Sequence, residues 1–329
     1  MRKGYNPVKV SKTKNKRFHH RIVLPVYIPD SNELYFKNLN NVLKLCLSSL
    51  FNSINIENTA VTVINNGSCK ETEEEIFVFI DKIDKYVYYN TNKGKVYAVK
   101  EEARSCTEDY ITITDSDIFF LKNWEFEVFK IFENFPDAGV VSPYPCPYMT
   151  FYHNTYVFGK NFINNIRYGK YTKDRDIELY LEGTNLPKLH LRKNKKENWK
   201  NKQYVIKNKK EKAVIGAYHV VATYKTFQFS NDYSFNEVVF ENSYESETID
   251  NKAKLYGLNR LSTINNFIYH IGNEIQSDNN IDTLIQYNEN LIRKDFEFNS
   301  LPKIKKRKYK GFWVLFFNLI GKKLKKILE

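Results

Sequence analysis

Apolar residues in the first third of the chain alternate between short β-branched runs and longer stretches with helical spacing. Four strands are predicted at Arg21–Ile28, Ala60–Ser68, Tyr86–Asn90 and Asp109–Asp117, and three helices at Asn32–Ser53, Cys69–Ile83 and Lys95–Cys106. Strands that alternate with helices favour an α/β fold in which a mostly parallel, doubly wound sheet is flanked by helices. The strand runs are almost continuously apolar, as expected where both faces of a parallel sheet are buried.

The carboxyl ends of these predicted strands carry side chains that suit a ligand site. Ligands of doubly wound sheets bind beyond the carboxyl ends of the strands, so we expect one rim to carry Tyr27, Asn65, Asn66, Asp115 and Asp117. Asp115 and Asp117 are one residue apart, and their carboxylates would repel each other unless a cation lies between them. Oxygen ligands of this kind suit magnesium or manganese, often together with a diphosphate. A surface turn with two solvated acids is the alternative.

The end of the chain combines lysines with large apolar residues. On a helix, one side would carry Trp313, Phe316, Phe317, Ile320, Leu324, Ile327 and Leu328. Asn318, Lys322, Lys325, Lys326 and Glu329 would lie on the other side. This pattern is typical of an amphipathic helix in a membrane interface. A helix packed on the body or on a second subunit is the alternative.

Charge is concentrated at the two ends of the chain. The net charge is +13; residues 1–21 contribute +8 and residues 303–329 contribute +9, which leaves −4 between them. Basic ends favour an anionic membrane surface as a partner more than nucleic acid. No apolar run reaches the ~18–20 residues that cross a bilayer. The four cysteines are widely spaced, so we expect reduced, mostly buried thiols in a cytosolic protein.

Four segments, read in order, resemble the nucleotide-binding half of a family 2 glycosyltransferase with the GT-A fold. They are VLPVYIPDS, VTVINNGS, NKGKVYAVKEEARS and YITITDSD, and the resemblance covers about residues 23–122. It implies a Rossmann-like sheet, a nucleotide-diphosphate sugar as donor, and Mn2+ or Mg2+ as cofactor.

The resemblance also implies a set of donor contacts. They are Pro25, Tyr27, Asn65, Asn66, Lys100, Arg104, Asp115 and Ser116. Tyr27 would stack on the base, and Asn65 and Asn66 replace the family's Asp-rich turn. Lysine replaces the family's asparagine at Lys100, so Lys100 or Arg104 is expected at the diphosphate. The alternative is that either residue lies on a solvated helix face.

The family's catalytic Glu-Asp pair falls on Glu245 and Ser246, so its aspartate is missing. Glu247, one step further on, is our first candidate for the general base, and Glu245 is the second. The alternative is that both acids lie in the first turn of a helix and interact favourably with its dipole. His270 occupies the place of a family histidine and is expected to be a third metal ligand beside Asp115 and Asp117, or a structural histidine.

These inferences divide the chain into a basic arm (1–20), a GT-A domain (21–290) and a membrane-associating tail (291–329). The domain would consist of a nucleotide-binding half (21–122) and an acceptor half (123–290) with a basic insertion near 160–212. The expected enzyme is a metal-dependent, inverting glycosyltransferase of bacterial surface polysaccharide synthesis. It would use a glycan or lipid-linked acceptor at the cytoplasmic, inner face of the plasma membrane.

Two other functions stay open at this stage. A sugar-phosphate nucleotidyltransferase would need a Gly-rich loop after the first strand, where the chain reads PVYIPDSNE without glycine. A non-catalytic nucleic-acid-binding or scaffold protein would use the basic stretches with Trp199 and Tyr204. We do not expect a nucleic acid as a partner. A homo-oligomer is also open.

Overall fold

The computed structural model describes residues 18–183, 199–230, 236–241, 244–275, 280–306 and 311–328, so most of the predicted basic arm lies outside the described residues. The strands are β1 (His20–Val26), β2 (Thr59–Asn66), β3 (Lys85–Tyr89), β4 (Tyr110–Thr114), β5 (Ile118–Phe120), β6 (Ala138–Ser142), β7 (Ile166–Gly169), β8 (Gln203–Lys207), β9 (Lys212–Ile215), β10 (Val221–Lys225), β11 (Asn259–Ser262) and β12 (Ile268–His270). The α-helices are α1 (Leu39–Ser53), α2 (Lys70–Phe77), α3 (Lys95–Ser105), α4 (Trp124–Asn134), α5 (Thr155–Asn161), α6 (Asp174–Gly183), α7 (Lys252–Leu255), α8 (Asn280–Asn290) and α9 (Phe312–Leu328).

Ten strands form one mixed sheet in the order β3-β2-β1-β4-β10-β6-β11-β9-β8-β7. The first four strands are mutually parallel, and β6 and β11 form a further parallel pair. The other neighbours pair antiparallel, so that seven of the ten strands run in one direction. The predicted α/β class with a mostly parallel sheet is therefore confirmed, and the second half of the chain adds the antiparallel pairings.

Burial explains why the first half folds as predicted. Every residue of β2 is buried, and five of the seven residues of β1 are buried. The apolar side of α1 packs on the same core through Leu43, Cys46 and Leu50. The helix begins at Leu39 rather than near Asn32, because the preceding residues form turns.

The predicted fourth strand is interrupted at the two aspartates. β4 ends at Thr114, and the backbone N–H of Asp115 donates to the carbonyl of Val220, 2.9 Å away. The chain then turns and resumes as β5, which pairs with β12 in a separate two-stranded sheet. In this pairing Ile118 lies opposite His270. The short sheet therefore brings His270 to the turn that carries Asp115 and Asp117.

The tail contains the predicted helix, α9, and the helix packs on the body. A Cβ on Gly321 would collide with the carbonyl of Thr155, and one on Gly159 would collide with the carbonyl of Phe317. These contacts require glycine, because α5 and α9 approach backbone to backbone. No helix within the described ranges is long and apolar enough to cross a membrane.

The exposed face of α9 differs from the one predicted by helical spacing. Its first half exposes Phe312, Trp313, Leu315, Phe316 and Leu319, and its second half exposes Lys322, Lys323, Lys326 and Ile327. The exposed apolar residues thus lie mainly in the first half of α9 and the exposed basic residues in the second half. Val314 and Gly321 are buried where α9 packs on the body. The cysteines are all free; Cys46 and Cys146 are buried, and Cys69 and Cys106 are partly buried.

Candidate active site

A cavity of about 580 Å³ lies at the carboxyl ends of β1, β2 and β4, which is the rim that the sequence predicts. Its described lining includes Pro25, Tyr27, Tyr35, Phe36, Asn66, Lys95, Asp115, Ser116, Asp117, Val239 and His270. One side is aromatic and the other is charged. Both parts suit a ligand that has a flat ring and an anionic group.

Asp115, Asp117 and His270 converge on one side of this cavity. Each offers one possible ligand atom, and these atoms all lie within 4.8 Å of one another. Asp117 Oδ1 is buried and has no hydrogen-bond partner among the described residues. Carboxylate and imidazole ligands suit a divalent ion such as Mn2+. The donor set therefore fits a metal, and a metal would satisfy the oxygen that the protein leaves without a partner.

His270 is oriented for this role by the backbone of α6. Its Nδ1–H donates to the carbonyl of Gly183, which leaves Nε2 facing Asp117 Oδ2 at 3.1 Å. A histidine that binds a metal commonly donates its other ring N–H in this way. Burial alone would lower the pKa of His270, but the hydrogen bond and charge of Asp117 raise it to about 9.

Lys95, at the first residue of α3, connects this metal-binding cluster to the acceptor half. Its Nζ lies 2.5 Å from Asp115 Oδ1 and 2.9 Å from Glu245 Oε1. Burial raises the pKa of Asp115, and the ammonium of Lys95 opposes that rise. Gly94 precedes the helix with φ of +86°, and a Cβ there would collide with the carbonyl of Val238. Lys95 is thus held at the rim by a backbone geometry that favours glycine.

Behind Glu245 lies a buried polar cluster. His219 Nε2 is 3.7 Å from Glu245 Oε2, and His219 Nδ1–H donates to Asp250 Oδ2 at 2.8 Å. Tyr152 donates to the same oxygen at 2.9 Å, and Arg260 Nη2 donates to Asp250 Oδ1 at 3.0 Å. Burial alone would raise the pKa of Asp250, but Arg260 and His219 hold it well below its usual value. The carboxylate therefore stays charged and fixes the imidazole that faces Glu245.

The two glutamates predicted as candidate bases are in different positions. Glu245 contacts Lys95 and lies near His219, whereas Glu247, the first candidate, is exposed on the π-helix Ser246–Asp250. Within the part of the chain that the structure describes, Glu245 pairs with Lys95 of the cavity lining, whereas Glu247 forms no ion pair with the lining. The geometry therefore favours Glu245, and the reason is the position of the helix, which begins after Glu245 and turns Glu247 outward.

The predicted donor contacts divide into those that line the cavity and those that do not. Pro25, Tyr27, Asn66, Asp115 and Ser116 line it. Tyr27 is 41% exposed, so its ring is available for stacking. Asn65 is buried instead. Its amide donates to the Tyr86 hydroxyl and accepts from the Ser68 N–H, and these two bonds stabilise the turn after β2.

Lys100 and Arg104 are not among the described residues that line this cavity, so its geometry does not favour them as contacts of the diphosphate. Lys100 is buried on α3, and Arg104 lines a different cavity, where it pairs with Glu101 at 3.1 Å. The reason is the direction of α3, which runs away from the rim, so that Lys100 lies roughly 7 Å further along the axis than Lys95. Among the described lining residues, the lysine at the rim is Lys95.

Comparison with known proteins identifies the family. Residues 26–206 match the model of glycosyl transferase family 2, a span of more than half of the chain. The chain belongs to glycosyl transferase family 2. This match confirms the resemblance that the four sequence segments indicate. None of the curated proteins compared with this family 2 glycosyltransferase matches it significantly.

The chain is also similar to solved structures. Mannosyltransferase PcManGT from Pyrobaculum calidifontis, in complex with GDP-Man and Mn2+, is 13% identical, with a TM-score of 0.45 over 76% of this chain and 55% of that chain. S. aureus TarS 1-349 is 12% identical, with a TM-score of 0.46 over 77% of this chain and 60% of that chain. The same TarS fragment in complex with UDP-GlcNAc matches 38% of this chain at 15% identity, with a TM-score of 0.29 over 33% of that chain. This family 2 glycosyltransferase thus spans about half to three-fifths of the length of the first two.

Proposed function

We propose that the protein transfers a sugar from a nucleotide-diphosphate sugar to a hydroxyl of a glycan acceptor, with Mn2+ or Mg2+ as cofactor. The observation that carries this proposal is the convergence of Asp115, Asp117 and His270 beside a cavity with aromatic residues, with Asp117 Oδ1 left without a partner. Tyr27 provides a face for the nucleotide base. The bound metal would neutralise the charge that develops on the leaving diphosphate.

Glu245 is the proposed general base. Its carboxylate takes the proton of the acceptor hydroxyl while the acceptor oxygen bonds to the anomeric carbon and the bond from that carbon to the diphosphate breaks. This direct displacement inverts the anomeric configuration. Lys95 holds Glu245 beside the metal-binding acids, and His219, fixed by Asp250, supports its other oxygen. A base fixed on both sides is already oriented when the acceptor arrives.

We further propose that the enzyme works on a lipid-linked acceptor of bacterial surface polysaccharide synthesis, as a peripheral protein at the inner face of the plasma membrane. The exposed aromatic and basic residues of α9 support this proposal, since such a helix suits an anionic interface. Phe312, Trp313 and Phe316 form an aromatic group at its first turn.

The metal-dependent donor site is tested by thermal unfolding with UDP-GlcNAc and GDP-mannose, each with Mn2+ or with EDTA. We expect one of the nucleotide sugars to raise the melting temperature only when Mn2+ is present, and Asp117→Asn to abolish that rise. Asp174→Asn is the matched control, because Asp174, the first residue of α6, is an exposed acid that pairs with Lys170. An unchanged, Mn2+-dependent rise in Asp117→Asn would exclude this metal site.

A further inference from the structure

A second cavity, separate from the donor cavity, lies between β8 and the end of α9. It measures about 320 Å³. Its walls carry the rings of Tyr148, Phe151, Tyr168, Trp199 and Tyr204. Tyr168 and Tyr204 stack with their centroids 4.4 Å apart, and Tyr148 meets Trp199 edge to face at 6.0 Å. We call this cavity the aromatic pocket.

The charge of the aromatic pocket is positive. Lys202 and Lys325 line it, and its described lining contains no acid. Lys202 Nζ lies 5.9 Å from the centroid of the Tyr168 ring. Lys325 also belongs to a group of neighbouring cations: burial lowers the pKa of Lys254, and the nearby charges of Lys322 and Lys325 lower it further. An anion in the pocket would relieve the repulsion among these lysines.

One residue of the aromatic pocket reaches the catalytic side of the molecule. Tyr152 lines the pocket, and its hydroxyl donates to Asp250, the carboxylate that orients His219 toward Glu245. The pocket and Glu245 are therefore on opposite sides of one buried polar cluster. A ligand in the pocket would lie within a few side chains of the proposed base.

We propose that the aromatic pocket binds an acidic sugar unit of the acceptor glycan. Sugar rings present C–H groups on their faces, which pack on aromatic rings, and hydroxyls at their edges, which bond to tyrosine hydroxyls. The two lysines select a unit that carries a carboxylate or a phosphate. The assignment to an acceptor and the preference for a sugar over RNA rest on the proposed function; the preference for an anion rests on the lining of the pocket.

The link through Tyr152 favours a glycan over an RNA segment, because an acceptor must bind near the base and an RNA need not. The lining favours a glycan over a lipid chain, since a hydrocarbon offers no hydrogen-bond acceptor to the lysines or tyrosine hydroxyls of the pocket. RNA and lipid remain distinct outcomes of the test.

Binding to the full chain is measured by tryptophan fluorescence in a Trp313→Phe background, without metal or donor. Trp124 is fully buried, so the response reports on Trp199. The probes are tri-galacturonate, the neutral trisaccharide maltotriose, hexauridylate and farnesyl phosphate. We expect tri-galacturonate to bind at least about tenfold more tightly than maltotriose, which corresponds to about 1.4 kcal/mol.

Variants locate the site. Lys202→Ala combined with Lys325→Ala should weaken tri-galacturonate binding at least about tenfold. Lys323→Ala is the matched control, because Lys323 is an exposed lysine on α9 outside the described lining of the pocket and is not one of the cations that lower the pKa of Lys254. Equal binding of the two trisaccharides, no binding of tri-galacturonate, or tighter binding of hexauridylate or farnesyl phosphate would overturn the proposal. Since donor binding needs Mn2+ and is measured separately, either proposal can fail without the other.

Discussion

The ammonium of Lys95 lies 2.9 Å from Glu245 Oε1, and these two residues are 150 positions apart in the chain. The same nitrogen contacts Asp115, so one lysine connects a proposed metal ligand with the proposed base. Without this cation, two carboxylates at the edge of the cavity would face each other. Lys95 therefore has a structural role in the free protein and, in the proposed mechanism, a positioning role for Glu245.

The first prediction concerns Lys95. Lys95→Met should lower kcat/KM about 10²–10³-fold, a loss comparable to that of one preorganised electrostatic contact. Mn2+ binding, followed by calorimetry, should be retained, because Asp115, Asp117 and His270 are unchanged. Lys93→Met is the matched control: Lys93 is two residues away and pairs with Glu237 instead. A Lys95→Met enzyme with the activity of the Lys93→Met enzyme would show that Lys95 does not position the base.

The sequence already groups Asp115, Asp117 and His270 as candidate metal ligands, because the signal is local. Asp115 and Asp117 follow an apolar strand, and His270 follows another within a recognisable segment. The alternation of strands and helices in the first half can likewise be predicted from short stretches of sequence. By contrast, β10 inserts between β4 and β6 through pairings such as Val221 with Thr114, which no short pattern encodes.

The other residues of the site were not predicted, because their partners also lie far away in the sequence. Lys95, His219 and Asp250 acquire their roles from partners that only the folded chain brings near. His219 lies in the segment GAYHVV, where nothing nearby distinguishes it from a structural histidine. The one available signal for Lys95 was its position directly after Gly94, at a helix start on the rim.

The second prediction is a pH dependence that arises from His219. Burial opposes protonation, but the hydrogen bond to Asp250 and the charge of Glu245 raise the pKa of His219 above its ordinary value of 6.5. A group whose pKa is higher in the folded state stabilises that state fully below the unfolded pKa, and the contribution disappears as pH rises through the folded pKa. His219→Gln should therefore lower the free energy of unfolding more at pH ~6 than at pH ~9.

Urea unfolding of the wild type and His219→Gln at both pH values tests this prediction. His153→Gln is a control with the opposite trend: burial lowers the pKa of His153 to about 4, so its replacement should lower the free energy of unfolding less at pH ~6 than at pH ~9. The role of His219 would be contradicted by a stability difference that is the same at both pH values or larger at the higher one.

The third prediction concerns the buried ion pair of Arg260 and Asp250. Both side chains are fully buried, and Arg260 also donates to the carbonyl of Ala217 at 2.8 Å. Arg260→Met should cost about 3–5 kcal/mol, because it leaves the Asp250 carboxylate buried without its main counter-charge. Adding Asp250→Asn to this variant should recover part of the loss. Urea unfolding of the wild type, the two single variants and the double variant measures the coupling energy between the two residues. Strictly additive losses would argue against a coupled pair.

The last prediction concerns the exposed face of α9. Replacing Phe312, Trp313 and Phe316 together by serine should weaken binding to phosphatidylglycerol vesicles at least about tenfold, because each buried aromatic side chain contributes about 1.5–3 kcal/mol. These rings are exposed, so the fold should keep its melting temperature. Deleting α9 would be a poorer test, since it would also uncover the face of α5 that Gly159 and Gly321 bring into contact. Co-sedimentation measures binding, with Ile292→Ser as control, since Ile292 is an even more exposed apolar residue outside α9. Binding to anionic vesicles that is equal for the triple variant and the control would mean that α9 does not dock on membranes.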